Sequence, residues 1–382
     1  MGDYALVLGV AALATYLLTF PVRRMAVHFG AIVMPDARRV HKRPTPTIGG
    51  VAMFLAFLLA MVVASQIPYF KSIFSNSSEP LGVVLGAAVI LGVGLLDDLR
   101  EVSAPAKLAG QVVAASVLYF LGVTMFFFKV PFAGVIVLSA NVTPLLTAVW
   151  VAMIANAVNL IDGLDGLAAG IIAIAAGAFF LYSFHLGHIG QLSGNNIGPL
   201  VAIIACGVCI GFLPHNFHPA KVFMGDAGAM FLGLLMAAST MVVGGRSSQV
   251  SGDTYFFFAP LFIPFFILGV PILDTLFAIV RRAARRTEVS GADKDHLHHR
   301  LVRLGHGPRR AVLILWAWTA LLSGFVLYPT FTHRGNAFIP FGVAGLGVAL
   351  YTLLHPGLRR NVRDLSAEAE LGAGLEEPTK QA

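Results

Sequence analysis

An apolar run that ends in amides and carboxylates decides the fold: residues 144–166 read PLLTAVWVAMIANAVNLIDGLDG. A helix crosses the hydrocarbon core of a bilayer with about 20 mostly apolar residues, and the first part of this run meets that requirement. Asn156, Asn159, Asp162 and Asp165 then recur at every third position. The stretch therefore predicts a membrane-spanning helix that leaves the bilayer at a polar site.

The rest of the chain has the same apolar character. Of its 382 residues 57% are hydrophobic and only 12% are charged, against about 25% charged residues in soluble domains. This composition excludes a disordered chain, a disulfide-stapled secreted module and an ordinary cytosolic enzyme. We predict an all-α polytopic membrane protein with about eleven transmembrane helices. The predicted spans are Tyr4–Val22, Gly49–Tyr69, Leu81–Leu96, Lys107–Met125, Pro144–Ile161, Leu167–Phe184, Ile197–Leu213, Ala227–Val243, Phe258–Val280, Ala311–Leu327 and Ala337–Leu354.

Two apolar segments need a separate interpretation. Tyr4–Val22 is predicted to be a span and not a signal peptide, because no basic segment precedes it and Arg23 and Arg24 follow it. Phe126–Val137 is too short to span a bilayer and is rich in β-branched and aromatic residues. We predict an extended segment or a hairpin there, packed at the outer surface.

The distribution of lysines and arginines predicts the orientation. With the N-terminus outside and the C-terminus inside, 22 of the 26 basic residues fall on the inner side, as the positive-inside rule requires. The net charge of +7 therefore indicates membrane topology, and we expect no nucleic-acid partner. We predict an integral membrane domain over residues 1–358, with a long cytoplasmic loop at 281–310 and a disordered cytoplasmic tail at 359–382.

Acidic residues also gather on the inner side, where all but Asp3, Glu79 and Asp253 fall. Carboxylates near hydrocarbon are costly unless they are paired or bind a metal. The adjacent acids Asp97 and Asp98 end the third span, where the helix dipole disfavours negative charge. Mg²⁺ with phosphate oxygens would resolve this conflict, and a solvated helix end is the structural alternative.

Two further carboxylate positions adjoin predicted spans. Gly163 and Gly166 let the backbone break after the fifth span and could turn Asp162 and Asp165 into one pocket. Asp226 begins the eighth span, where a helix N-terminus favours a carboxylate. It is placed either to cap that helix or to hold a metal.

The longest inner loop contains three histidines in four residues. His296, His298 and His299 are too compact for a zinc-finger spacing. They suit hydrogen bonding to phosphate or sugar oxygens, with a solvated turn as the alternative. Asp274, inside the ninth span, is a functional candidate whose role the sequence does not define. The chain has no P-loop motif, so these features together predict a membrane enzyme that acts on a phosphorylated substrate at its cytoplasmic face.

Three runs follow one another along the chain: NAVNLIDGLDGL at 156–167, PAKVFMGDAG at 219–228 and HLHH at 296–299. Together they are similar to the motifs of one known family. The chain resembles the polyprenyl-phosphate N-acetylhexosamine-1-phosphate transferases (glycosyltransferase family 4) from about Pro21 to Arg310. Within that family it resembles the WecA/TagO-type GlcNAc-1-phosphate branch more than the MurNAc-pentapeptide translocase branch, because it reads TPTIGG at 45–50 and HLHH at 296–299. Ala229 departs from the serine expected there.

The resemblance implies a role for each matching position. The acidic pair and the lysine that follows it would lie near the substrate phosphates, and Asp226 would hold Mg²⁺, with Mn²⁺ as the alternative metal. Three residues would line the uridine pocket, where Phe223 would stack on the base. The implied catalytic residues are Asp97, Asp98, Lys107, Asn156, Asp162, His296, His298 and His299, and the implied uridine-pocket residues are Asp165, Asn216 and Phe223.

The resemblance also implies the reaction. GlcNAc-1-phosphate would pass from UDP-GlcNAc to a polyprenyl phosphate, undecaprenyl or decaprenyl, with release of UMP. The setting would be a bacterial plasma membrane, at the first membrane step of cell-envelope polysaccharide synthesis, with a homodimer as one assembly to consider. Two alternatives stay open at this point: a phospho-MurNAc-pentapeptide translocase, and a transporter of a phosphorylated solute.

Overall fold

The computed structural model describes residues 1–34, 44–100, 102–130, 134–244, 306–332 and 338–353, with single positions at 268–269, 272, 276 and 301–302. Helices dominate this part of the chain. Numbered along the described residues, they are α1 (Gly2–His28), α2 (Gly49–Gln66), α3 (Lys71–Ser75), α4 (Glu79–Arg100), α5 (Ala104–Phe120), α6 (Thr143–Ile161), α7 (Leu167–His188), α8 (Gly198–Asn216), α9 (Gly225–Gly244), α10 (Pro308–Thr332) and α11 (Phe338–Leu353).

Each predicted span that falls in the described residues overlaps one of these helices, and α3 is an additional short helix. Within the described residues, eight helices are long and apolar enough to cross a membrane, and α5 and α11 are shorter apolar helices. The predicted span Phe258–Val280 and the acid Asp274 lie outside the described residues. The class of polytopic helical membrane protein is confirmed, while the total of eleven spans and the orientation stay predictions.

The short apolar segment after α5 forms the predicted hairpin. Strands β3 (Phe127–Val130) and β4 (Gly134–Val137) pair antiparallel, with Phe127 opposite Val137. A second small ladder joins β1 (Ile32–Val33) to β2 (Thr45–Pro46), which leads into α2.

Helix α9 lies at the centre of the bundle. All its residues from Ala227 onward are buried, and it packs against α2, α4, α6 and α8. Small residues permit this packing: a Cβ on Gly50 would overlap the backbone of Gly228, and a Cβ on Gly94 would overlap that of Ala227. Two glycines thus bring the start of α2 and the end of α4 against the first turn of α9.

Three backbone breaks place polar residues at one end of the bundle. Helix α6 ends at Ile161 and α7 begins after Gly166, whose φ of +78° is the left-handed conformation that glycine tolerates. Gly225 begins α9 with a φ of +69°. Ile48, just before α2, has a φ of +64°, which is unusual for a β-branched residue. The predicted break between α6 and α7 is confirmed.

Candidate active site

Four helix ends meet at the polar end of the bundle. Lys107, in the first turn of α5, places its ammonium between two carboxylates: it forms an ion pair with Asp97 and lies 2.6 Å from Asp226 Oδ2. Asn159, near the end of α6, donates a hydrogen bond from Nδ2 to the same Asp226 oxygen over 3.3 Å. Residues distant in sequence thus form one charged cluster.

The two adjacent acids at the end of α4 have different environments. Asp97 pairs with Lys107, and its Oδ1 accepts a hydrogen bond from the N–H of Val102 at 2.6 Å. Asp98 instead accepts from the backbone N–H groups of Asp226 at 2.9 Å and Ala227 at 3.1 Å. Its carboxylate therefore caps α9, where free amides and the helix dipole favour negative charge.

Gly225 makes room for this cap. A Cβ at that position would overlap the Asp98 carboxylate, and its positive φ would strain any other residue. The glycine before Asp226 is therefore required by the approach of Asp98 as well as by the turn into α9.

Asn156 forms a reciprocal amide pair with Gln111 of α5. Its Nδ2 donates to Gln111 Oε1 at 2.8 Å and to the carbonyl of Ala152 at 2.8 Å, while its Oδ1 accepts from Gln111 Nε2 at 3.1 Å. Gln111 is completely buried. The structure therefore places Asn156 beside the cluster as a link between α5 and α6.

Asp162 lies just after the last turn of α6, close to the other acids. Burial, followed by the negative charges of Asp226, Asp98 and Asp165, raises the pKa of the Asp162 carboxyl to about 8. This end of the bundle therefore holds more negative charge than Lys107 alone neutralises.

A second polar cluster adjoins the first. Asp165 Oδ2 accepts from His218 Nδ1 at 2.7 Å and from the N–H of Ala220 at 3.0 Å. Asn216 accepts from the N–H of Gly166 at 3.0 Å and donates to the carbonyl of Val222 at 3.0 Å. These contacts hold the loop after α8 against the turn between α6 and α7.

Phe223 is fixed through its backbone. Its N–H donates to the carbonyl of Pro46 at 2.9 Å, and its carbonyl accepts from the N–H of Gly49 at 2.9 Å. The N–H of Gly50 likewise donates to the carbonyl of Met224 at 2.9 Å. The TPTIGG run thus supports the segment that leads to Asp226, and the Phe223 side chain is half-buried.

Three contact residues were not assigned a role from the sequence. Gln111 has a signal that could have identified it, because it lies four residues after Lys107 on the same helix face. His218 has no such signal, because a histidine in a loop does not reveal its partner. Arg309, whose Nε donates to the carbonyl of His218 at 3.2 Å, has no sequence feature that distinguishes it from the neighbouring Arg310.

The three histidines of the predicted loop, His296, His298 and His299, lie outside the described residues. Within the part of the chain that the structure describes, no group of three or more His, Cys, Asp or Glu side chains is arranged to hold a metal ion. In these residues two carboxylates, those of Asp97 and Asp226, contact the same cation, the ammonium of Lys107.

The fold and the site define a polytopic membrane enzyme whose polar groups gather at one end of its helices. Residues 80–244 match the family described as glycosyl transferase family 4. A decaprenyl-phosphate N-acetylglucosaminephosphotransferase of Mycobacterium tuberculosis (strain ATCC 25618 / H37Rv) is 40% identical over 367 residues, covering 94% of this chain and 90% of the relative. The chain therefore belongs to glycosyl transferase family 4, and the predicted resemblance is confirmed.

Two other relatives show which branch is more similar. A Bacillus subtilis (strain 168) protein named probable undecaprenyl-phosphate N-acetylglucosaminyl 1-phosphate transferase is 36% identical over 318 residues, covering 83% of this chain and 81% of the relative. A phospho-N-acetylmuramoyl-pentapeptide-transferase of Desulforudis audaxviator (strain MP104C) is 33% identical over 352 residues, covering 82% and 94%. Identity is thus higher to the N-acetylglucosamine phosphotransferases.

Proposed function

We propose that this enzyme transfers GlcNAc-1-phosphate from UDP-GlcNAc to a polyprenyl phosphate, undecaprenyl or decaprenyl, and releases UMP. The observation that carries the proposal is the convergence of Asp97, Lys107 and Asp226 from three helices onto one point. Such a cluster suits the binding of phosphates with a cation. The names of the more similar relatives supply the sugar and the lipid.

A divalent metal fits the carboxylates that are present. The ammonium of Lys107 already lies between Asp97 and Asp226, so both acids are directed at a cation. Mg²⁺ in phosphate-transfer sites takes one or two carboxylates and completes its shell with water and substrate oxygens. Asp226, with Asp97, would hold Mg²⁺, and Mn²⁺ is the alternative. When bound, the metal screens the negative charge of the phosphates.

The reaction requires two anions to meet. An oxygen of the acceptor phosphate attacks the donor phosphorus that carries the sugar, and the bond from that phosphorus to the bridging oxygen breaks, so UMP leaves with the electron pair. A phosphate monoester has a second pKa of about 6, so the acceptor is mostly dianionic at neutral pH without a protein base. Lys107 donates to the phosphates, and Asp98 acts through the backbone it caps.

The second cluster adjoins the place where the nucleoside would bind. Asp165 and Asn216 support the loop that carries Phe223, which would stack on uracil. His296, His298 and His299 would contact phosphate or sugar oxygens. Asp162 and Asn156 would be the remaining polar residues of the site, and the pairing of Asn156 with Gln111 holds Asn156 in place.

The proposed setting is the plasma membrane of a bacterium, with the site on the cytoplasmic face and the N-terminus outside. In this arrangement residues 1–358 form the transferase domain, and the acceptor phosphate reaches the site from the inner leaflet. A homodimer stays a prediction.

Measuring UMP release tests the proposal. The purified protein is given Mg²⁺ and polyprenyl phosphate with either UDP-GlcNAc or UDP-MurNAc-pentapeptide, and Asp226→Asn is the matched variant. We expect UMP only with UDP-GlcNAc, and loss of most activity in the variant at fixed Mg²⁺. Release with UDP-MurNAc-pentapeptide alone would establish the translocase, and release with neither would favour the transporter.

A further inference from the structure

We infer that Lys107 occupies the cation position of the metal-free enzyme and must leave Asp226 before a divalent metal binds there. In this role Lys107 is a competitor for the metal site as well as a contact for the substrate phosphates. The inference rests on the proposed function, because it concerns the same carboxylates.

The positions of the charges carry the inference. One ammonium faces both Asp97 and Asp226, with 2.6 Å from Nζ to Asp226 Oδ2. A metal bound to that oxygen would lie within a few ångströms of the ammonium, where two positive charges repel. The ammonium and the metal therefore cannot both contact Asp226 Oδ2 at full occupancy.

The contacts of the carboxylates show which partner moves. Asp97 is held by the N–H of Val102, and Asp226 is held at its backbone by Asp98 and at Oδ2 by Asn159. Lys107 has a flexible four-carbon stem. Its side chain is 23% exposed and that of Asp226 is 29% exposed, so solvent and ions reach this contact. The lysine is the member free to move.

Displacement would place the ammonium where the reaction needs it. Once the metal neutralises Asp97 and Asp226, Lys107 loses its partners and is free to contact the phosphates of the donor. Metal binding and phosphate binding are then ordered, because the lysine serves the phosphates only after it has left the carboxylates.

Metal affinity measured without donor or acceptor tests this order. Mn²⁺ binding to the full-length protein is measured by electron paramagnetic resonance at pH 8 for the wild type, Lys107→Met and Lys107→Arg. We expect Lys107→Met to bind Mn²⁺ about tenfold more tightly or better, because the competing charge is gone. Lys107→Arg should stay near the wild type. Lys221→Met, which removes an exposed lysine from the segment between α8 and α9, corrects for net charge and should also stay near the wild type.

A second measurement uses the unaltered protein and does not depend on the folding of a variant. An amine-selective reagent is applied with and without Mg²⁺, and modification of Lys107 is measured by mass spectrometry. We expect Mg²⁺ to increase it at least twofold, as released ammonium becomes accessible. Equal or weaker Mn²⁺ binding by Lys107→Met, or protection of Lys107 by Mg²⁺, would overturn the inference while Mg²⁺-dependent UMP release still supports the transferase. If the wild type neither binds metal nor releases UMP, the inference on Lys107 and the proposed transferase function are both overturned.

Discussion

The carboxylate of Asp98 holds the backbone of Asp226: Oδ1 accepts the Asp226 N–H at 2.9 Å, and Oδ2 accepts the next N–H along α9 at 3.1 Å. An acid at the end of one helix therefore caps the helix that carries the proposed metal ligand. Because both of its oxygens have backbone partners, Asp98 is better placed to position Asp226 than to act as a nucleophile.

Asp98→Asn should raise the Mg²⁺ requirement of UMP release and leave more than a few per cent of the activity at high Mg²⁺. The amide keeps one acceptor but turns an NH₂ group toward a backbone N–H, and a lost cap costs about 1 kcal/mol. Asp226 would then lose its fixed position. UMP release is measured across a range of Mg²⁺ concentrations.

Asp98→Ala is the matched variant, because it removes both acceptors and should raise the Mg²⁺ requirement further. If both variants release no UMP at any Mg²⁺ concentration and bind Mn²⁺ as tightly as the wild type, Asp98 would instead be identified as a chemical base or nucleophile.

Gly94→Ala and Gly50→Ala should each destabilise the protein by about 1–3 kcal/mol. An added methyl group would overlap the first turn of α9, at Ala227 and at Gly228 respectively. The matched control is Gly92→Ala in α4, the helix that also carries Gly94. A Cβ at Gly92 meets nothing within 4 Å. Thermal unfolding in detergent should show lower midpoints for the first two variants and an unchanged or higher midpoint for the control. Equal midpoints in all three would contradict the close approach of α9.

Hydropathy predicted which end of each helix carries the charges, but not which helices are neighbours. Asp97, Lys107 and Asp226 were all assigned to span ends that were predicted to lie on the inner side, and each lies at a helix end in the structure. Their meeting at one point depends on the packing of α4 and α5 against α9 and its neighbours. Glycine contacts such as Gly94 against Ala227 determine that packing, and in a chain with 40 glycines their positions alone do not reveal it.

The cap on α9 could not be predicted for a different reason. The partners of Asp98 are backbone amides, which every residue possesses, so no side-chain pattern marks them. The sequence indicated that the two adjacent acids needed a cation; in the structure the Lys107 ammonium is a partner of Asp97, and a metal at this pair stays a prediction. For Asp98 the helix N-terminus provides the positive potential. Asn216 was assigned to a pocket by resemblance, and that role stays a prediction; its amide oxygen and nitrogen both bind backbone groups, which no side-chain pattern marks.

Gln111→Leu should destabilise the protein by about 1–3 kcal/mol, because it leaves the half-buried Asn156 amide without its reciprocal partner. Asn156→Leu should have a similar effect. The double variant should be more stable than the sum of the two losses predicts, since neither amide then remains unpaired. The double-mutant cycle is measured by thermal and denaturant unfolding of the wild type, the two single variants and the double variant. Strictly additive losses would show that the pair makes no joint contribution.

Asp162→Asn should stabilise the metal-free protein more at pH 8 than at pH 5. The pKa of Asp162 is about 8 in the folded protein and about 3.9 in an unfolded chain. Between these values the folded state keeps a proton that the unfolded state has released, so the free energy of unfolding falls as pH rises and levels off above pH 8. Asparagine removes this slope. The measurement is the difference in unfolding midpoint between variant and wild type at several pH values.

Asp3→Asn, which alters an acid in the first turn of α1, is the control for the change from a carboxylate to an amide. Saturating Mg²⁺ should reduce the effect of Asp162→Asn, because a bound cation offsets the charges of Asp226 and Asp98 that disfavour ionisation of Asp162. A difference in midpoint that is the same from pH 5 to pH 8 would mean that Asp162 is already ionised in the folded protein, and that the negative charge of its neighbours is neutralised without a metal.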